Sequence, residues 1–198
     1  MIAVWIVLGV LALLAVVGVV SYNRFVAQRQ LITDSWRDID VELQRRHDLI
    51  PNLVATVKGY AAHEKAVLEA IAAARASAIQ AAGSTTADRE RAESAVTRGL
   101  GGLFAVAEAY PELKASANFQ QLQHDLSDTE DRLAAARRFY NGNVRDYNTR
   151  VQAFPSSLIA GLGNFELAEF FEIADSSIAE PVAVSFTSDG EHPDAAER

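Results

Sequence analysis

The first twenty residues, MIAVWIVLGVLALLAVVGVV, carry no charged side chain. Nothing else in the chain narrows its folding options as much. As helix, twenty residues rise about 30 Å, the thickness of the hydrocarbon core of a bilayer. Trp5 and Tyr22 stand near the two ends of the run, where amphipathic rings favour the membrane–water interface. The competing reading is a cleaved leader, which calls for a basic start, a shorter apolar run and an A-x-A-like site. No Lys or Arg precedes this run, and its end, VVGVVSYN, lacks that cleavage pattern. Residues 1–22 are therefore expected to be a retained transmembrane anchor. Arg24, Arg29 and Arg37 follow the span and no basic residue precedes it. The positive-inside rule then puts the N-terminus outside and the rest of the chain in the cytoplasm. The span contains no GxxxG pair, and so no sign of tight helix dimerisation within the bilayer.

The formal charge of −8 is unevenly placed. Residues 1–165 hold 17 acidic and 17 basic side chains. Residues 166–198 hold nine acids (Glu166, Glu169, Glu172, Asp175, Glu180, Asp189, Glu191, Asp194 and Glu197) against Arg198. Such a tail is expected to be solvated and flexible over 173–198. It argues against nucleic acid as a partner, because it would repel phosphates and no basic stripe compensates. The chain has no cysteine, which removes disulfides, thiol catalysis and cysteine-based zinc sites.

The remainder reads as helices with one apolar face each. Ile32, Trp36, Ile39 and Leu43 step by four and three, which is helical spacing. The stripe stalls at Arg45-Arg46, resumes at Ile50, Leu53, Val57 and Tyr60, and runs on to Ile71. A third stripe, Ala92 to Tyr110, ends at Pro111. The fourth is the most regular, from Phe119 through Leu126, Leu133, Tyr140 and Tyr147 to Phe154, and Pro155 closes it. One-faced helices are stable only when packed, and short connections between four of them make an antiparallel bundle. The expected fold is all-α: an anchor, an elongated antiparallel four-helix bundle over 23–172, and the acidic tail. Its helices are expected at about 24–47, 50–82, 87–110 and 117–153. A short apolar element in SSLIAGLGNFELAEFF should fold back on the bundle, and EPVAVSF reads as a brief extended segment.

The run RRHDLIPNLVATVKGYAAHE (residues 45–64) concentrates most of the suggestive chemistry. Proline is tolerated in the first helical turn and disfavoured in a helix interior. Asp48, three residues before Pro51, would cap a new helix. A reversal at Pro51 explains the interrupted stripe; a single helix kinked at Pro51 is the alternative. On a helix beginning there, Glu64 falls on the apolar face beside Leu53 and Tyr60. A buried carboxylate needs a partner, and Arg137 and Arg46 are the candidates. Glu64, Arg137 and Arg46 are thus expected to form a structural polar core. Acid–base catalysis by His63 and Glu64 is the rival, but neighbouring helical residues diverge too far to face one substrate. His47, His63 and His124 lack metal-ligand spacing. No P-loop, GxSxG, GxGxxG or kinase signature occurs. No catalytic, cofactor or metal site is expected. Trp36 and Tyr60 read as core. Tyr140, Tyr147, Asn141 and Asn148 form an i,i+7 double row, read as core rings beside a hydrogen-bonding flank or as a groove for a partner. Gly99, Gly101 and Gly102 either permit close helix approach or mark a bend.

These blocks, SWRDIDVELQRRHDLIPNLVATVKGYAAHE, LFAVAEAYPELKAS, FQQLQHDLSDTEDRLAAARRFYN with VRDYNTRVQAFPSSLIA, and the late EFFE and PVAVSF, resemble the LemA family of bacterial membrane-anchored proteins. The resemblance, with the span, covers about residues 1–186. GLGNF stands where Leu-Phe-Gly-Phe is more usual. It implies a single-pass protein of the bacterial inner membrane with a mostly four-helix domain, and supplies no catalytic residues. A family member belongs to the magnetosome membrane set, which implies membrane organisation. The expected role is a non-enzymatic scaffold that self-associates as a homo-oligomer or organises protein partners at the bilayer. The alternative is a signalling adaptor docking a soluble partner through the bundle or the acidic tail.

Overall fold

The computed structural model describes residues 1–173. The extended segment expected at EPVAVSF and the acidic tail from residue 174 lie outside the described residues. Helix α1 runs from Ile2 to Tyr60, 59 residues, or about 88 Å at the helical rise. Its N-terminal part is long and apolar enough to cross a membrane, and among the described residues no other helix is. The same helix continues without a break into the bundle.

The reversal expected at Pro51 does not occur: α1 runs through Pro51 as a single helix, as in the alternative. The stripe does not stall at Arg45-Arg46 either. Leu43, Arg46, His47, Ile50, Leu53 and Val57 are all buried along α1, so polar side chains occupy two positions of a continuous buried face. The chain turns ten residues later. The Ala61 amide donates to the Val57 carbonyl and the Glu64 amide to that of Ala61, and α2 runs Lys65–Gln80. The second helix thus starts at Lys65, not near residue 50, and Tyr60, beside the turn, is 45% exposed rather than core.

After a 3₁₀ turn at Ala81–Gly83, α3 spans Thr86–Glu108. The Thr85 hydroxyl accepts from the Asp88 amide, which satisfies one of the free donors of the first turn. A short α4 (Pro111–Lys114) opens with proline at its start. Helix α5, Ala117–Gln152, has 36 residues, and α6 is Ser156–Leu162. No strand occurs among the described residues.

The bundle has two unlike halves. Far from the span, the last turns of α1 from Ile50, with Ala61 just after it, share one core with α2, α3, α4 and the start of α5, centred on Leu53, Val57, Ile71, Val96, Leu103 and Phe119. Nearer the span, α1 and α5 pair antiparallel around Ile39, Leu43, Leu133 and Val144, and Phe171 from the C-terminal segment completes that core. Next to the span, Phe25, Tyr147, Ala160 and Phe165 make a third cluster. The end of α6 is set by its cap. Asn164 takes the left-handed conformation at φ 52°, and the Phe165 amide reaches back to the Ala160 carbonyl. That is a Schellman closure, in which asparagine stands in for the commoner glycine.

Of the three glycines in α3, Gly99 has the packing role. A Cβ there would lie 2.8 Å from Ile71 Cδ1 and 3.3 Å from the Ile71 Cα, so its absence lets α2 and α3 touch. At Gly101 a Cβ would meet nothing within 4 Å. The helix is unbroken at all three. Gly101→Ala should therefore raise stability by up to about 1 kcal/mol through helix propensity alone. Gly99→Ala should lower it, since the same gain is offset by forcing backbone apart. Denaturant unfolding of both variants checks this, and equal effects would contradict the packing account.

Candidate functional site

The charged cluster read from the sequence forms a buried polar layer across four elements. Arg46 is wholly buried. Its Nε lies 3.2 Å from Glu130 Oε1, one Nη donates to Thr97 Oγ1 at 2.9 Å, and the same Nη donates to the Glu93 carbonyl at 3.2 Å. A planar five-donor fork suits this position, where carboxylate, hydroxyl and carbonyl converge. Beside it, His47 Nε2 lies 3.1 Å from one carboxylate oxygen of Glu93 and 3.3 Å from the other. Side-chain exposures are 6% for His47 and 1% for Glu93. A carboxylate that deep requires a partner, and α1 supplies it.

Pro51 explains a further member of the layer. Proline has no N–H, so it cannot donate to the carbonyl four residues back, which is His47. Arg75 of α2 fills that vacancy, its Nε donating to the His47 carbonyl at 2.6 Å. A charged donor from the neighbouring helix thus replaces the missing helical bond, and α1 remains one element through Pro51. At the near end of α3, Arg89 pairs with Asp40 and lies over the Trp36 ring, 5.1 Å from its centre.

The structure separates the three residues expected to form the polar core. Arg46 lies in the layer. Glu64 precedes α2 and is only half-buried, with the Tyr110 hydroxyl donating to it at 3.2 Å; neither Arg46 nor Arg137 is its partner. Helix α1 ends at Tyr60, so Glu64 is not on that helix and does not share its apolar face. His63 is exposed in the turn. Arg137, on α5, donates to the Ile173 carbonyl at 3.3 Å. Among the described residues, no group of three or more His, Asp or Glu could hold a metal ion.

The double row on α5 has a definite task. Asn148 donates to the Ala168 carbonyl and accepts from the Ala168 amide, both at 2.9 Å. Asn141 does the same for Phe171, at 3.0 and 2.9 Å. Each carboxamide thus acts as the edge of a strand toward a non-helical segment. The spacing fits: seven helical residues rise about 10.5 Å, and three extended residues cover about 10 Å. The Tyr140 hydroxyl adds a bond to the Glu169 carbonyl at 2.9 Å. Phe165 stacks on Phe25 at 4.8 Å, and Phe171 meets the Trp36 ring edge-on at 4.9 Å. Residues 165–173 are therefore a strap clamped along the α1–α5 seam.

Burial, then the charges of Glu169 and Glu90, push the Tyr140 phenol above its ordinary value of 10. The fold thus favours the neutral phenol, so its contribution is complete below about pH 10 and is lost as pH rises through the raised value. Tyr140→Phe should remove part of the alkaline loss of stability, read by urea unfolding between about pH 8 and pH 11. An unchanged profile would show that the phenol does not sense the strap. For the proline, Arg75→Ala should cost about 1.5–3 kcal/mol, the range for a hydrogen bond from a charged donor. In a Pro51→Ala background, where the helical bond can re-form, that cost should shrink by at least about half. Equal costs in both backgrounds would refute the replacement.

The LemA family model matches residues 35–186, which takes in most of the bundle and begins after the apolar run. The chain is also similar to Magnetosome protein MamQ 2 and Magnetosome protein MamQ 1 of Paramagnetospirillum magneticum (strain AMB-1). Each is 26% identical over 190 residues, covering 84% of this chain and 70% of the relative. Magnetosome protein MamQ of Magnetospirillum gryphiswaldense is 24% identical over 190 residues, covering 83% and 70%. With a continuous apolar-to-bundle helix, the polar layer around RRHDLIPNL and a family match over three-quarters of its length, this chain belongs to the LemA family.

Proposed function

We propose that this chain is a non-enzymatic, single-pass scaffold of the cytoplasmic membrane. Residues 1–22 anchor it, and its helical body organises partners, or further copies of itself, on the cytoplasmic side. The observation that carries this reading is the unbroken α1. One helix joins the apolar run to the bundle, so the bundle is held at a fixed angle to the bilayer rather than on a flexible tether. The buried polar groups support it too: Arg46, His47 and Glu93 are used by one another and by neighbouring helices. Their burial leaves a substrate no approach to them. The arginines after the span favour a cytoplasmic body, and the magnetosome relatives are consistent with work at a membrane.

The chain is free of cysteine, so single cysteines report topology directly. In intact cells, a membrane-impermeant maleimide should label Ile2→Cys and spare Gln123→Cys until lysis. The protein should remain in membranes after carbonate washing, and amine cross-linking in those membranes should give a discrete ladder of multiples. Labelling of Gln123→Cys in intact cells would reverse the orientation. A monomer band at all cross-linker doses would remove self-association.

A further inference from the structure

We propose that the corner between α5 and α6 is a second membrane contact, dipping into the lipid beside the span. This rests on the anchor reading and adds a site to it. Residues 151–165, VQAFPSSLIAGLGNF, carry no ionisable side chain; the nearest charges are Arg150 and Glu166. Helix α6 uses one face internally. Ala160 is buried with Phe25, Tyr147 and Phe165, and the Phe165 ring lies 5.4 Å from that of Tyr22. Its other face, and Phe154 just before the helix, are bare. Phe154 is 81% exposed, Leu158 61% and Leu162 87%, and Leu158 and Leu162 are one helical turn apart on that face.

Position decides what covers this face. A Cβ on Gly18 would lie 3.8 Å from Ile159 Cδ1. Gly18 belongs to the uncharged run and sits two residues, about 3 Å of rise, inside its end. Helix α6 therefore meets the last turn of the span at Ile159, and neither the span nor residues 151–165 bring a charged side chain to that contact. A lipid bilayer that surrounds the span necessarily reaches this face. Interfacial elements of this kind sink about 5–10 Å, to the boundary of headgroups and acyl chains. Arg24 and Arg150 stand just beyond the apolar zone, at the level where basic side chains reach headgroups. The second contact would fix the rotation of α1 about its axis, which a lone span leaves free.

The test uses the full chain in phosphatidylcholine vesicles whose acyl chains are brominated. Single cysteines at Val17, Leu158, Leu162 and Gln123 each carry an environment-sensitive fluorophore. Val17 reports the span; Gln123, exposed on the far part of α5, reports water. Quenching at Leu158 and Leu162 should approach that at Val17 and exceed that at Gln123 by about five-fold or more, as expected for residues at acyl-chain depth. Strong quenching at Val17 with Leu158 and Leu162 as weak as Gln123 would overturn the second contact and leave the anchor standing; water or a second copy would then cover α6. Weak quenching at all four would overturn both.

Discussion

One backbone carbonyl organises the centre of this molecule. Pro51 cannot donate to His47, and an unpaired carbonyl in a packed layer would cost free energy comparable to a lost hydrogen bond. Arg75 supplies the donor from the adjacent helix. That single bond fixes the register of α2 against α1 and brings a charge into the layer. Arg46 and His47, immediately before it, then face α3 and α5, where Glu93, Thr97 and Glu130 receive them. Buried ionic groups of this kind add little net stability compared with a well-packed apolar layer, but breaking one partner is costly. Their arrangement admits one register of the four helices and penalises shifted ones.

The two halves of the bundle solve the same problem with different material. Away from the membrane, α2 and α3 cover α1 and α5. Nearer to it only the first turn of α3 reaches, through Arg89 to Asp40 and Trp36 and through Glu90 to the Glu172 amide, and the rest of the seam would be open along one side. The strap from Phe165 to Ile173 closes it with two aromatic anchors and two asparagine clamps. An extended segment laid on helices has no ladder partner of its own. Side-chain amides that donate and accept together are the economical answer to that need.

Much of this was legible in the sequence, and the failures are instructive. The stripe from Phe119 to Phe154 identified α5, because an apolar residue returns every three or four positions with no competing signal. The apolar run was equally plain. Pro51 misled because local rules place proline at a helix start, whereas a tertiary donor made an interior position tolerable. The apparent stall of the stripe had the same origin: Arg46 and His47 are polar by type yet occupy core positions, and periodicity counts only apolar letters. Glu64 was misplaced as a consequence of the missed helix end. Asn141 and Asn148 were visible as an i,i+7 pair of poor helix formers, but their occupant lies twenty to thirty residues further along the chain, beyond any local pattern. Glu93 gave no signal at all, being one acid among several on α3.

An unbroken α1 unites these features, since it carries the apolar run, the polar layer and the seam that receives the strap. The scaffold role proposed for this LemA-family chain rests on that continuity. The direct measurement is the distance between spin labels on cysteines replacing the exposed residues Arg37 and Lys58 in the otherwise cysteine-free full chain. One continuous helix places their backbones about 31 Å apart, 21 residues at 1.5 Å each. A chain reversal at Pro51 would bring the same two positions within about 15 Å, as for antiparallel neighbours packed 8–10 Å apart. A narrow distribution near the longer value supports the account, and one centred on the shorter value contradicts it.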